Sequence, residues 1–263
     1  MRHRFATLLT VTALVLTGCS GATGGGNADS ARDRSLTVFA AASLQQAFDD
    51  MSEGFTAEHP RISIEFNYAG SSTLLQNLES GAPADILATA DEATMEMAQQ
   101  AGLIDRPTRE LFAANTLVGI VPDDNPANIA TLEDANANGV NLVVCASQVP
   151  CGALAQSVAD ATGTTLNPVS EEQQVSDVLG KVRSGQADAG LVYATDAALA
   201  SDEVSTFELE GAQDQPNNYP IAQTANSSDR EAAAAFIEYV QSDAGQAVLQ
   251  DLGFAAPQDP DDS

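Results

Sequence analysis

The chain has 263 residues, and its 37 aspartates and glutamates against 10 lysines and arginines give a formal net charge of −27. Such a charge repels phosphate backbones and excludes nucleic acid as a partner. With 44% hydrophobic residues, the chain is long enough for one large domain or two smaller lobes.

The N-terminus has the pattern of a secretion signal. Basic residues at 2–4 precede an apolar run over 5–16, and small residues stand directly before Cys19. The run is shorter than the ~20 apolar residues of a membrane span, and cleavage before a cysteine is typical of a lipoprotein. We therefore predict a signal peptide over 1–18, lipidation of Cys19 and a flexible tether over 19–34. The alternative is an ordinary secretory signal with an incidental cysteine.

From residue 35 onward, strand-like and helix-like segments alternate. Strands are predicted at 35–40, 62–68, 85–89, 116–121, 142–145 and 189–193. Helices are predicted at 44–55, 74–78, 92–101, 152–162, 175–183, 230–241 and 246–252. Repeated β–α–β units predict an α/β fold with parallel sheets, whose ligand sites lie beyond the carboxyl ends of the strands.

Two serines stand where a strand gives way to a helix. Ser43 follows the first predicted strand, and Ser71 follows the second. A helix N-terminus has unpaired N–H groups and a partial positive charge, so a serine there can offer an anion both its hydroxyl and its N–H. The simpler alternative is that both serines are helix caps, with Ser43 as the N-cap of the first helix.

The remaining cysteines, Cys145 and Cys151, form a pair in a chain predicted to be secreted. A disulfide is the expected outcome in an oxidising compartment. A metal site built on these thiols is excluded, because His59 is the only histidine after the predicted cleavage point and no second cysteine pair exists.

Five motifs in chain order resemble the signatures of periplasmic molybdate-binding proteins of ABC importers, over residues 36–254. They are FAAASL (39–44), SSTL (71–74), GAPAD (81–85), VPCG (149–152) and LVYATDA (191–197). The resemblance implies a two-lobed periplasmic-binding-protein fold of type II, in which each lobe is a mainly parallel sheet flanked by helices and the ligand lies in the cleft between the lobes.

The same resemblance implies how the chain divides between the lobes. The first lobe would comprise 35–115 together with 223–257, and the second lobe 117–221. The chain would cross between them at 116–121 and 219–222, and 258–263 would be an acidic tail.

The resemblance also implies the ligand contacts. Ser43 and Ser71 would supply hydroxyls and N–H groups from the first lobe. The second lobe would supply the backbone at Cys151 and Val175 and the hydroxyl of Tyr193, which without the resemblance could equally be a core tyrosine. Two departures from the family pattern are Gly70, where relatives commonly have a third serine, and Cys151, where alanine is frequent.

The function implied is capture of molybdate or tungstate by an extracytoplasmic, membrane-anchored monomer, and its delivery to a membrane permease driven by an ATPase. No cofactor is expected, and molybdenum would enter only as the bound oxyanion. All the implied contacts are donors, which suits a fully deprotonated dianion. Binding of another tetrahedral oxyanion such as sulfate is the alternative. A secreted serine hydrolase is disfavoured because neither serine lies in a Gly-x-Ser-x-Gly motif, so we predict that the chain is not an enzyme.

Overall fold

The computed structural model describes residues 34–258, which form two lobes, each built on a five-stranded sheet flanked by helices. The first lobe begins with β1 (Arg34–Ala41), α1 (Gln45–Glu58), β2 (Ile62–Ala69), α2 (Ser71–Glu79), β3 (Ile86–Ala88), α3 (Glu92–Gln100) and β4 (Glu110–Asn115). The second lobe contains β5 (Leu117–Pro122), α4 (Leu132–Ala135), β6 (Leu142–Cys145), α5 (Pro150–Ala161), β7 (Ser170–Glu172), α6 (Val175–Arg183), β8 (Ala189–Tyr193), α7 (Ala194–Leu199) and β9 (Val204–Phe207). The chain returns to the first lobe with β10 (Asn217–Gln223), α8 (Arg230–Gln241) and α9 (Asp243–Asp251).

The two sheets share one strand pattern, β2-β1-β3-β10-β4 in the first lobe and β7-β6-β8-β5-β9 in the second. In each sheet the first three strands are parallel, whereas the strand that has just crossed from the other lobe, β10 or β5, is antiparallel to both neighbours. The predicted two-lobed α/β fold is confirmed. The expectation of mainly parallel sheets is confirmed, because four of the five strands in each sheet run in one direction and only the crossing strand, β10 or β5, is reversed, which makes each sheet mixed.

The chain crosses between the lobes at Thr116 and again between β9 and β10. Thr116 is the single residue between β4 of the first sheet and β5 of the second. The return crossing differs from its predicted place at 219–222. The strand β10 already begins at Asn217 and pairs with β3 and β4, so the return lies within residues 208–216 and not at the predicted second-lobe end at 221.

Aromatic side chains anchor the helices of the first lobe to its sheet. The ring of Phe48 in α1 lies 5.9 Å from that of Phe112 in β4 and 5.7 Å from that of Phe236 in α8. Phe55, two turns further along α1, meets Phe236 edge to face at 5.2 Å. This packing follows from the apolar repeat that predicts α1, because a stripe at helical spacing is buried against the core. It fixes the sheet whose strand ends carry the first-lobe serines.

The motif at 81–85 serves the architecture of the first lobe. The Asp85 carboxylate accepts hydrogen bonds from the Thr37 N–H in β1 at 2.9 Å and from the Ser228 N–H, just before α8, at 2.7 Å. Burial alone would raise the pKa of Asp85, but these bonds and one from the Ser227 hydroxyl bring it below its ordinary value. The aspartate therefore ties β1 to the loop that leads into the C-terminal helices.

Parts of the predicted organisation lie outside the described residues. These are the signal peptide over 1–18, Cys19, the tether as far as residue 33, and the acidic tail beyond Gln258. Within residues 34–258, no helix combines the length and the apolar character that a membrane crossing requires.

Candidate functional site

A small cavity lies between the two lobes, and all five predicted ligand-contact residues line it. Its volume is about 20 Å³. The lining residues of the first lobe are Ala41, Ala42, Ser43, Gly70, Ser71 and Ala90. Those of the second lobe are Val149, Pro150, Cys151, Gln173, Gln174, Val175 and Tyr193. The site thus assembles from strand ends and helix starts of both lobes.

Ser43 lies in a short 3₁₀ turn, Ala42–Leu44, directly after β1, and is 6% exposed. Its hydroxyl lies 3.0 Å from the hydroxyl of Tyr219 in β10. The expectation that Ser43 caps α1 is wrong, because Leu44 occupies that place and no side chain caps the helix. The hydroxyl is instead held at the cavity wall by a tyrosine of the returning strand.

Ser71 is the first residue of α2, and its side chain does not cap the helix either. The Ser71 hydroxyl oxygen accepts a hydrogen bond from the Ala90 N–H at 3.0 Å. The N–H groups of Thr73 and Leu74 both donate to the Gly70 carbonyl. The N–H groups of the residues that precede Thr73 in the first turn, including that of Ser71, therefore have no acceptor within the helix and point out of its N-terminal end.

The start of α5 presents the N–H of Cys151. Pro150, at the first helical position, has no N–H, and the N–H groups of Gly152 and Ala153 both donate to the Val149 carbonyl. Cys151 is therefore the donor left over in this turn, and it lies in the cavity wall. A main-chain contact at this position depends on the helix start and not on the cysteine side chain.

Val175 and Tyr193 complete the second-lobe wall. Val175 is the first residue of α6, where a backbone N–H has no partner within the helix. Tyr193 ends β8 and is 1% exposed, and its hydroxyl oxygen accepts a hydrogen bond from the Asn217 amide at 3.0 Å. Burial raises the pKa of Tyr193 well above its ordinary value, and the charges of Asp91 and Asp196 raise it further. The hydroxyl therefore keeps its proton and can donate it.

The structure joins Cys145, at the end of β6, to Cys151 in a disulfide. The loop between them passes directly beneath α5, because a Cβ atom at Gly152 would lie 1.9 Å from the Ala146 carbonyl oxygen. Only glycine fits at that position. The disulfide and this close approach together brace the loop that carries the Cys151 N–H.

The cavity lining contains serine and tyrosine hydroxyls and backbone donors but no charged side chain. His59, the histidine that a hydrolase would need, lies away from this cavity and stacks on Phe55 at 4.5 Å. Within residues 34–258, no group of three or more histidine, cysteine, aspartate or glutamate side chains is placed to hold a metal ion. The arrangement is suited to holding an anion by hydrogen bonds.

Four residues close to the site carry no clear signal in the sequence. Gln173 and Gln174 belong to a polar run before α6 that is typical of a loop. Asn217 and Tyr219 lie on β10, where the sequence indicates only a crossing between lobes, yet they contact Tyr193 and Ser43. Their roles depend on contacts between residues far apart in the chain.

Comparisons with known proteins give consistent matches. Residues 36–255 match the family model described as bacterial extracellular solute-binding protein. The molybdate-binding protein ModA of Mycobacterium tuberculosis is 44% identical over 225 residues, covering 85% of each chain. A putative ABC transporter substrate-binding lipoprotein, YvgL of Bacillus subtilis, is 28% identical over 92% of this chain and 94% of its own. The structure of the periplasmic molybdate-binding protein of Azotobacter vinelandii superposes with a TM-score of 0.74 at 18% identity, covering 85% of this chain and all of that one.

Proposed function

The chain belongs to the bacterial extracellular solute-binding protein family, and from this premise we propose that it captures molybdate outside the cytoplasm and delivers it to an ABC importer. The proposal rests on the 44% sequence identity between this chain and a mycobacterial protein named for molybdate binding, and on the cavity between the lobes. The family is one of binding proteins, so the chain is not an enzyme.

The observation that carries the proposal is the convergence of neutral donors from both lobes on one small cavity. The hydroxyls of Ser43, Ser71 and Tyr193 and the helix starts at Cys151 and Val175 all line it. Helix N-termini attract anions through their free N–H groups and partial positive charge. Such a site holds an anion although the whole chain carries a formal charge of −27.

The size of the cavity favours a single small anion. A volume of about 20 Å³ exceeds only slightly the ~10–15 Å³ that one water molecule requires on the same measure. This volume is the space open to the centre of a water molecule. When the radius of the water molecule is added, a spherical cavity of this kind has a radius of about 3 Å. This suits a tetrahedral oxyanion such as molybdate or tungstate.

Further parts of the proposed function concern the protein's surroundings. We propose that lipidated Cys19 anchors a monomer to the outer face of the membrane, where closure of the lobes around the anion creates the surface that the permease recognises. The pattern of the N-terminal residues supports the anchor, as does the name of the Bacillus subtilis relative.

The direct test is a thermal-shift and calorimetric screen of the purified protein with molybdate, tungstate, sulfate and phosphate. An oxyanion present at 100 times its Kd stabilises the folded state by about 2.7 kcal/mol, which corresponds to a rise in Tm of about 5–10 °C for a body of this size. We expect molybdate and tungstate to produce that rise, and a competition titration to rank sulfate below them. Stabilisation by sulfate alone would reassign the ligand, and no response to any of the four anions would refute the proposal.

Substituting either first-lobe serine by alanine tests the site itself. Ser43→Ala and Ser71→Ala each remove one charge-assisted hydrogen bond to a buried dianion, worth about 1.5–3 kcal/mol. We expect each to weaken molybdate binding by roughly 10- to 150-fold in a calorimetric titration. Ser80→Ala, at the exposed end of α2, is the matched control and should bind like the parent. Parent-like binding by both site variants would place the anion elsewhere.

The disulfide tests whether Cys151 contributes through its backbone or its sulfur. In a variant with Cys145→Ala and Cys151→Ala, the alanine at 151 still supplies the N–H, so we expect molybdate affinity to fall by less than about tenfold. Stability should fall by about 2 kcal/mol, because the disulfide closes only a short loop. Calorimetry and thermal unfolding measure the two effects separately. Complete loss of binding in a folded variant would contradict the main-chain assignment.

A further inference from the structure

Each hydroxyl that lines the cavity is contacted from behind by a separate polar group. The Ala90 N–H donates to the Ser71 oxygen, the Asn217 amide donates to the Tyr193 oxygen, and the hydroxyls of Tyr219 and Ser43 lie 3.0 Å apart. A hydroxyl has one proton to donate and can also accept. When a protein group on the side away from the cavity donates to the hydroxyl oxygen, the hydroxyl proton is therefore directed toward the cavity.

The direction of the bond to Tyr193 follows from a second contact of Asn217. The Asn217 Nδ2 atom lies 3.5 Å from the Pro150 carbonyl oxygen and 3.0 Å from the Tyr193 hydroxyl oxygen. A carbonyl oxygen can only accept, so the atom facing it must be the amide nitrogen. Asn217 therefore donates to Tyr193, and the phenolic proton is free to point into the cavity.

The contacts at the two serines differ in how their direction is fixed. The donor to Ser71 is a backbone N–H, whose direction cannot reverse. In the pair formed by Ser43 and Tyr219 either hydroxyl can donate, so this contact can reverse. The Tyr193 and Ser71 oxygens thus accept from fixed donors, whereas the Ser43 hydroxyl can donate or accept.

We propose that Asn217 is a positioning residue that commits the Tyr193 hydroxyl to donate, and that it thereby disfavours a protonated oxyanion at this contact. The inference rests on the proposed function and deepens it. A hydrogen phosphate ion carries the same two charges as molybdate but must place an O–H against some acceptor. At Tyr193 that O–H would face a hydroxyl whose own proton points into the cavity, and an unpaired buried polar group is costly.

Asn217 also connects the two lobes. It is the first residue of β10 in the first sheet, whereas Tyr193 and Pro150 belong to the second lobe. The hydroxyl of Tyr193 therefore receives its donor from the opposite lobe across the cleft.

The test is Asn217→Asp, which keeps the shape of the side chain but replaces the donor by an acceptor. The new carboxylate would accept a hydrogen bond from the Tyr193 hydroxyl. The phenolic oxygen could then only accept hydrogen bonds from a ligand. Measurements at about pH 8 compare molybdate with inorganic phosphate, which there carries two charges and one proton. Because the two anions have equal charge, direct repulsion by the new carboxylate affects both alike and cancels in their affinity ratio.

We expect the molybdate affinity of Asn217→Asp to fall at least tenfold. The ratio of molybdate affinity to phosphate affinity should also decrease at least tenfold. Asn218→Asp, which adds the same charge at the neighbouring position, should keep the parental ratio. Equal losses for both anions in Asn217→Asp would overturn the inference while leaving the proposed function intact. A parent protein that bound no tetrahedral oxyanion would instead refute the proposed function.

Asn217→Ala keeps the inference testable if the aspartate variant does not fold. It removes the donor to Tyr193, whose oxygen then becomes free to accept from hydrogen phosphate. We expect the ratio of molybdate affinity to phosphate affinity to decrease by about threefold to tenfold. An unchanged ratio in a folded Asn217→Ala protein would overturn the role of Asn217 as a positioning residue.

Discussion

Substituting Gly70 by alanine is expected to weaken molybdate binding at least a hundredfold while leaving the unliganded protein folded. Gly70 precedes α2 in the first lobe, and its φ of −58° is open to any residue, so a side chain causes no backbone strain. The obstacle is the second lobe. A Cβ atom at position 70 would lie 2.1 Å from the carbonyl oxygen of Gln173.

That contact is with backbone and cannot be relieved by turning a side chain. Ordinary contacts of a Cβ begin near 3.4 Å, so the lobes would have to move apart by more than an ångström. Hydrogen bonds from N–H groups hold only at about 2.7–3.2 Å between heavy atoms. Second-lobe donors would then lose their bonds to an anion seated on the first lobe. Losing two such bonds costs at least about 3 kcal/mol, or roughly 150-fold in affinity.

Calorimetry of Gly70→Ala with molybdate measures this effect, and thermal unfolding without ligand checks the fold. Gly180→Ala, in α6 of the second lobe, is the matched control, since an added Cβ there meets nothing within 4 Å. Parent-like affinity in Gly70→Ala would mean that the liganded lobes lie further apart than in this structure.

Elements with a strong repeat of buried residues could be predicted from the sequence almost to the residue. The segments predicted at 142–145, 175–183, 189–193 and 230–241 coincide with β6, α6, β8 and α8. The strand β10 was predicted only as a crossing between the lobes, and the strands β4, β7 and β9 were not predicted. They are short and lack a clear alternation, and they form because neighbouring strands supply their hydrogen bonds.

The site could be predicted in part because its residues stand at junctions between strand and helix. Such junctions lie beyond strand ends in any α/β fold, and the five predicted contact residues do line one cavity. The alternative interpretation of Ser43 as a helix cap failed because Leu44 is the N-cap and the Ser43 hydroxyl contacts a partner 176 residues away. Local propensity cannot indicate such a partner, and the positions of Asn217 and Tyr219 depend on the same tertiary contacts.

Replacing Asp196 by asparagine is expected to stabilise the protein at alkaline pH by up to about 4 kcal/mol. Asp196 lies in α7 and is 9% exposed, and its Oδ2 atom has no hydrogen-bond partner among the described residues. Burial raises the pKa of this carboxyl to about 7, although a backbone hydrogen bond at Tyr193 lowers it in part. In the unfolded chain the pKa of an aspartate is about 3.9.

The folded protein therefore holds a proton on Asp196 that the unfolded chain releases. Between about pH 4 and pH 7 the folded state binds more protons, so the contribution of this group to stability decreases as the pH rises through that window. Asparagine resembles the protonated acid in shape and does not titrate, so it removes this pH dependence of the stability. The Tm of Asp196→Asn should match that of the parent near pH 4 and exceed it by about 10 °C at pH 8. Asp202→Asn removes the same charge at an exposed position and controls for the relief of overall repulsion. A Tm difference that is the same at both pH values would show that Asp196 is ionised throughout and has a partner in solution.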